Sequence, residues 1–417
     1  MKTIKIGLFG VGSRGKSFYD NILACNGEIV AVCDFNEEYL QRAKNTLGKD
    51  LATYLAFDDF IAHEGLEAVV ISNYFHEHAP YAIKALERNI HVLCECSSNG
   101  TMAEGVALVR ACEKSDAFFM IAENYPFAKN TTELRRVYKS GVLGKALFCE
   151  GEYNHPLDPT DFMGVKNLCP TSKHWRYRLP RAYYVTHSLA PLMLATGAVP
   201  RRVSCMPVVC PGPSDMVNTL TKGVAEKAAI ITVLNHDRSV FRVTGCAAFG
   251  THESSYRICG EYGQIETLRD GTERVMLTFD PWCTPEGRTS ASIYTPDWDK
   301  SVKKLAEKAG HGGGDFFTVR EFFACIRENR RPEMDEYFAT AMASVGILAH
   351  RSMLEGGVPY DVPDFRKEED RVKFEKDYLS PFYGTKGEEP TIPSTTYPEF
   401  NFTEEVMAKY DELMKKL

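Results

Sequence analysis

The stretch Ile4-Lys5-Ile6-Gly7-Leu8-Phe9-Gly10-Val11-Gly12-Ser13-Arg14-Gly15 decides the fold, because an apolar run feeds directly into a G-x-G-x-x-G turn. A second apolar run, Glu28 to Cys33, ends at the acid Asp34. Together these read as strand, glycine turn, helix, strand, acid. Gly10 permits the tight turn, Gly12 lets the backbone approach a pyrophosphate, and Gly15 lets the helix pack closely on the strand. A helix opening near Ser13 would point its free N–H groups and the positive end of its dipole at the phosphates. Asp34 can accept hydrogen bonds from a ribose diol and would repel a 2′-phosphate, so NAD is expected over NADP. The alternative is a bare glycine turn.

Bulk properties narrow the class. The 417 residues are enough for two domains or more with sizeable cores. Net charge is −7 and no basic tract is present, which argues against a nucleic-acid partner. Thirteen cysteines form an odd, scattered set with no C-x-x-C pair. Cys33, Cys94 and Cys112 lie in apolar runs, as buried free thiols of a reducing compartment do. Met1-Lys2-Thr3-Ile4-Lys5 runs straight into a strand without a signal peptide, and no apolar stretch reaches membrane-spanning length. A cytoplasmic protein with no membrane partner is expected.

Strand and helix patterns alternate through residues 1–124: helix Glu37–Leu47, strand Leu66–Ser72, helix His78–Asn89, strand Ile90–Cys94, helix Met102–Ser115 and strand Phe118–Ala122. This is the rhythm of an α/β domain with a doubly wound parallel sheet. A helix over Ala128–Ser140 ends at Gly141-Val142-Leu143-Gly144. Residues 125–377 then carry longer alternating strands: Lys145–Asn154, Val203–Val208, Ala228–Asn235, Ser239–Ala247, Ser254–Gly260, Gly263–Thr267 and Arg274–Thr278. A second α/β domain is expected, with a large, mostly antiparallel sheet open on one face and late helices at Phe316–Arg327 and Glu336–Leu354. Residues 378–417 read as a Pro/Gly-rich arm and a last helix, Thr403–Lys416. No internal repeat is visible.

Beyond the glycine turn and Asp34, the chain carries Asn73-x-x-x-x-His78 followed by Ala82 and Leu86, then His91-Val92-Leu93-Cys94-Glu95, Glu123-Asn124 and Gly141-Val142-Leu143-Gly144. With these it resembles the glucose–fructose oxidoreductase, inositol dehydrogenase and MocA (Gfo/Idh/MocA) family over most of its length. The resemblance implies a Rossmann domain joined to an α/β domain whose open sheet faces the nicotinamide and often supports oligomers. A homo-oligomer acting on a small sugar is therefore expected. Dehydrogenases of that family usually carry Glu-Lys-Pro where this chain has Glu95-Cys96-Ser97, and an aspartate four residues before their histidine where this chain has Tyr183. A small or apolar residue in place of the lysine also occurs in a subgroup that looks like glycoside hydrolase family 109, which uses and regenerates bound NAD within one turnover. Tyr184-Val185-Thr186-His187-Ser188-Leu189-Ala190-Pro191, His311-Gly312-Gly313-Gly314-Asp315-Phe316 and Val362-Pro363-Asp364-Phe365 resemble that subgroup.

Oxidising a secondary alcohol needs a base for the hydroxyl proton. His187 can titrate near neutrality, and Tyr184, one helical turn earlier, would share its face. Tyr153 resembles a tyrosine that the subgroup uses in acid–base steps. With His155 it would point to one face of its strand. The expected catalytic set is His187, Tyr184 and Tyr153; the alternatives are a core histidine and a packing aromatic. The expected cofactor set is Gly10, Gly12, Ser13, Arg14, Gly15, Asp34, Asn73, His78, Glu95 and Glu123, the last two read as holding the nicotinamide ribose or its neighbours and not as doing chemistry. Trp175 and Arg176, which could stack on and donate to a sugar, join His155 and His311 as expected substrate contacts. The glycines beside His311 read either as a close-approach loop or as a helix start capped by Asp315. Histidines 155, 174, 187 and 311 lack ligand spacing, so no metal is expected. Three functions follow in order: a redox-neutral glycosidase working through transient oxidation of carbon 3, a net sugar dehydrogenase, and a Rossmann-fold binding protein without catalysis.

Overall fold

The computed structural model describes residues 2–156, 161–209, 226–397 and 404–416. The first sheet has six parallel strands: β1 (Ile4–Phe9), β2 (Gly27–Cys33), β3 (Ala52–Tyr54), β4 (Ala68–Ile71), β5 (His91–Cys94) and β6 (Phe119–Ile121). Their order is β3-β2-β1-β4-β5-β6, the doubly wound arrangement whose order reverses between β1 and β4. β4 is buried at all four positions, as a strand covered on both faces must be. The helix expected at Ser13 is broken. α1 (Ser13–Lys16) stops after one turn and α2 (Tyr19–Ala24) restarts the helix. α3 (Glu37–Leu47) begins at Asn36, whose side chain accepts the Glu38 N–H. α4 (Phe57–Phe60), like β3, is too short to show a period in the sequence. α5 (His78–Leu86) and α6 (Met102–Lys114) follow, the latter opened by a capping box between Thr101 and Glu104.

After α7 (Lys129–Lys139) comes a nine-stranded sheet. It contains β7 (Ala146–Asn154), β8 (Pro200–Val209), β9 (Glu226–Asn235), β10 (Val240–Gly245), β11 (Glu253–Gly260), β12 (Gly263–Thr267), β13 (Val275–Phe279), β14 (Ala291–Tyr294) and β15 (Tyr360–Asp361). Its pairings are antiparallel apart from β7 with β10, which makes the sheet mixed. The short strands β14 and β15 were not anticipated. α8 (Phe162–Leu168) and α9 (Thr186–Thr196) lie in the β7–β8 connection. α9 is pressed onto the sheet: a Cβ at Gly151 of β7 would fall 2.0 Å from the carbonyl of Ser188.

The late helices, Gly314–Glu328 and Glu336–Leu354, return to the first layer. Phe322 packs edge-on against Phe118, and the Ile121 N–H bonds the Met334 carbonyl. The arm after residue 377 folds back so that Phe382 stacks on His76. The last helix spans Glu404–Lys416, and Thr403, its expected first residue, lies outside the described residues. Among the described residues no helix is long and apolar enough to cross a membrane.

Candidate active site

The carboxyl ends of the parallel strands converge on one groove, where ligands of open α/β sheets gather. Gly10 follows β1, with φ +83°, and a Cβ there would sit 2.6 Å from the Asn73 nitrogen. A Cβ at Gly15 would lie 1.8 Å from the Gly10 carbonyl oxygen, so both positions exclude any larger residue. Asp34, after β2, accepts the N–H of Val11 at 2.8 Å and of Asn36 at 2.9 Å. Burial pushes its carboxyl up while those backbone donors oppose the shift. A cavity of about 420 Å³ lies over Gly10, Gly12, Asp34, Asn73 and His174. Through Asn73 it meets a second cavity of about 150 Å³, lined by Glu95, Cys96, Tyr184 and His187. A third, of about 840 Å³, opens outward past Arg14, Trp175, Arg176 and His311. The glycine cradle fits a dinucleotide, and the buried Asn73 Oδ1 has no partner among the described residues.

At the inner cavity the side chains form a relay. His187 Nδ1 is 2.6 Å from Glu123 Oε1, and its Nε2 is 3.0 Å from the Tyr184 hydroxyl. A carboxylate can only accept, so Nδ1 carries the proton and Nε2 accepts from Tyr184. Burial pushes the Glu123 carboxyl up, but the His187 ring and the Cys96 and Thr186 side chains outweigh it and hold it below the usual range. Cys96 Sγ donates to Glu123 Oε2 at 2.9 Å. Burial drives the Tyr184 phenol far above its ordinary value, partly opposed by Arg176, so Tyr184 stays protonated as the donor to His187 Nε2. Tyr153 meets the His187 ring edge-on at 4.7 Å and its phenol is likewise raised, first by burial and then by Tyr184 and Tyr125. Tyr125, tilted over His187 at 4.5 Å, is pushed up to about 12 by burial.

Local sequence explains how His187 is held. Pro191, four residues later in α9, has no N–H to give the His187 carbonyl. The Tyr256 hydroxyl, from β11, donates to that carbonyl at 2.6 Å instead. The histidine is thus fixed at its backbone by the sheet, at Nδ1 by the end of β6, and at Nε2 by the turn before its own helix.

Several expected site residues take other positions. Glu123 is fully buried and bound to His187, so it orients the imidazole instead of reaching a ribose. Arg14 is committed to the protein: its Nε donates to Glu95 at 2.6 Å and its Nη atoms to Asp315 at 3.0 and 3.1 Å. His78 donates to the Ser97 carbonyl at 2.7 Å and braces the loops beneath the groove. His155 stacks on His252 at 4.5 Å and meets the Tyr153 ring edge-on at 5.8 Å. Trp175 is stacked on Phe75 at 5.3 Å with the Arg176 guanidinium over its ring, so part of the indole is covered. Ser13 and Gly12 line the outer cavity, as do Trp175, Arg176 and His311. Asp315 does not cap its helix; its carboxylate gathers Arg14, Asn124 and His311. His311, Gly312 and Gly313 all have positive φ, and a Cβ at Gly314 would lie 2.4 Å from the Asn124 carbonyl, which makes this a close-approach loop. Among the described residues no group of three His, Cys, Asp or Glu is placed to hold a metal.

The chain is similar in sequence and fold to known proteins. The chain is 24% identical over 408 residues to a "Glycosyl hydrolase family 109 protein 2" of Shewanella sp. (strain MR-4), covering 88% of this chain and 86% of that one. It is 24% identical over 426 residues to an "Alpha-N-acetylgalactosaminidase" of Tannerella forsythia, covering 87% and 86%. Among solved structures, a levoglucosan dehydrogenase in complex with NADH and L-sorbose superposes with a TM-score of 0.70 at 18% identity, covering 87% of this chain and all of that one. A scyllo-inositol dehydrogenase of Lactobacillus casei gives 0.66 at 15% identity, covering 87% and 99%. These two share the fold. Residues 4–123 match the oxidoreductase family with an NAD-binding Rossmann fold, and residues 281–371 match the C-terminal domain of glycosyl hydrolase 109, so the chain joins a Gfo/Idh/MocA-type NAD-binding domain to a C-terminal region of the family 109 type.

Proposed function

We propose that the protein is a redox-neutral glycosidase that prefers NAD to NADP. The observation that carries this reading is the Glu123–His187–Tyr184 relay, which ends in the inner cavity beside the dinucleotide groove. NAD, when bound, supplies the acceptor and donor of a hydride for carbon 3 of the sugar. Tyr184 takes the proton of the carbon-3 hydroxyl as it passes its own to His187 Nε2, and Glu123 balances the imidazolium that forms. With carbon 3 a ketone, the carbon-2 proton becomes acidic and leaves to the same acid–base cluster. The carbon 1–oxygen bond breaks and the aglycone departs with a proton. Water then adds its oxygen to carbon 1 while carbon 2 regains a proton. Reduction at carbon 3 and return of the proton along the relay complete a net hydrolysis. The Tyr153 phenol, kept protonated by burial, stands edge-on beside His187 as a hydrogen-bond donor for the substrate.

The glycosidase names of the relatives and the matched C-terminal region support hydrolysis over net oxidation. Cys96 stands where a proton-transferring lysine would serve a dehydrogenase, and its thiol is engaged with Glu123. The test is turnover of a glycoside panel in heavy water without added NAD. Free sugar carrying deuterium at carbon 2, with no growth of absorbance at 340 nm, is the expected result. Stoichiometric NADH, a keto sugar and no deuterium at carbon 2 would replace this reading with a net sugar dehydrogenase.

A further inference from the structure

The C-terminal helix Glu404–Lys416 presents Met407, Tyr410 and Met414 on one stripe, with Glu405–Lys409 and Glu412–Lys416 ion pairs outside it. That stripe docks on residues 169–178. Tyr410 and Met414 form a small core of their own with Cys169 and Tyr177, separate from the main one. The Tyr410 and Tyr177 rings are 4.6 Å apart, and the Tyr410 hydroxyl donates to the Cys169 carbonyl at 2.5 Å. Asp411 accepts both the N–H of Ser172 at 2.7 Å and its hydroxyl at 2.9 Å.

The other side of the same segment lies over the groove. His174 meets Tyr74 edge-on at 5.0 Å and Trp175 stacks on Phe75, so the segment rests on the residues next to Asn73. Pro170 and His174 line the cavity over Asp34, while Trp175 and Arg176 line the inner cavity beside His187. One ten-residue segment therefore spans both ends of the groove and is fastened from outside by a helix at the end of the chain.

We propose that Tyr410 and Asp411 are positioning residues for the dinucleotide site. They fasten residues 169–178 as a roof across the groove, so that bound cofactor leaves only when this segment lifts. The proposal rests on the NAD site and is indifferent to which reaction follows. It suits a cycle that restores the cofactor each turnover, because such a cycle has no need of release.

The test follows NADH leaving the full-length protein, by its fluorescence on mixing with excess NAD, so no substrate is involved. Asp411→Ala, which removes both acceptors, is expected to speed dissociation about tenfold. Asp411→Asn retains a carbonyl acceptor for the Ser172 N–H and is expected to restore most of the slow release. Tyr410→Phe, which deletes one hydroxyl, is expected to fall between. Hydrogen exchange in Asp411→Ala should rise at residues 169–178 and stay unchanged at Gly10–Gly15. Release as slow as in the unmodified protein overturns the proposal. Exchange that rises equally across the chain also overturns it, because the effect would then be global destabilisation.

Discussion

Glu123 leaves His187 a bare Nε2 by accepting the hydrogen bond of its Nδ1–H, and that single hydrogen bond sets the direction in which protons run. Glu123→Gln presents Nδ1 with an amide that can be either donor or acceptor, so the tautomer is no longer enforced. A fall in kcat of about 10²–10⁴ is expected, with NAD affinity unchanged, measured by turnover beside cofactor titration. His187→Ala is expected to abolish turnover with NAD still bound. Near-normal activity in that variant would return His187 to the role of a core histidine. Asp34→Ala is expected to narrow the preference for NAD over NADP, which direct titration with both dinucleotides reads.

Glu77, the residue before α5, is about 12% exposed and feels the charge of Glu104 from the α6 capping box. Burial first, then Glu104, pushes its carboxyl up to about 7 against Asn73, which lowers it. The folded value lies above the unfolded one. The proton therefore favours folding below the ordinary value of 4.5, and this contribution is lost as pH rises through about 7. Glu77→Gln is expected to raise stability at pH 8 by about 2 kcal/mol and to leave it nearly unchanged at pH 4, read by urea unfolding. A second element-scale effect lies in α9. Tyr256→Phe strips the His187 carbonyl of its donor at a fully buried site, at a cost of about 1–3 kcal/mol. Adding Pro191→Ala returns a helical N–H four residues on, so the double variant should recover part of that loss. No recovery would mean that the proline, and not the missing N–H, shapes the helix there.

Across the whole molecule, Arg14 ties the glycine turn to the helix Gly314–Glu328 through Asp315, and to the end of β5 through Glu95. The Asp315 carboxyl is raised by burial but held far below its ordinary range by His311 and Arg14. Asp315→Ala leaves Arg14, Asn124 and His311 without that acceptor. A loss of about 1–3 kcal/mol is expected from unfolding curves, since Asn124 and His311 lose their acceptor while Arg14 keeps Glu95. Asp315→Asn keeps acceptor capacity for Asn124 and should lose less. The same unfolding experiment on Lys2→Ala, an exposed pairing with Glu67, is expected to show under about 1 kcal/mol.

Local order along the chain determined the elements whose signals repeat. The apolar runs at Ile4–Phe9 and Ala68–Ile71, the glycine turn and Asp34 each specify their own backbone through sterics and periodicity, and α3 and the helix Glu336–Leu354 begin and end where their patterns do. Tyr184 and His187 were legible for the same reason, being one helical turn apart. What depends on residues distant in sequence was not. Glu123 lies 64 positions before His187, and Arg14 lies 301 before Asp315, so neither pairing leaves a spacing to read. Both residues sit among motifs that suggest phosphate or ribose contacts, and only folding shows their charges already spent on protein partners. β3, α4, β14 and β15 have between two and four residues each, too few to carry a period, and take their form from the sheet edges and layers they join. The roof over the groove is decided the same way. His174, Trp175 and Arg176 read as a mixed loop until tertiary packing sets Tyr410 and Asp411 on one side of it and Tyr74 and Phe75 on the other. Periodicity and steric demand are properties of neighbours in sequence, whereas buried charge pairs and layered contacts exist only between segments that folding brings together.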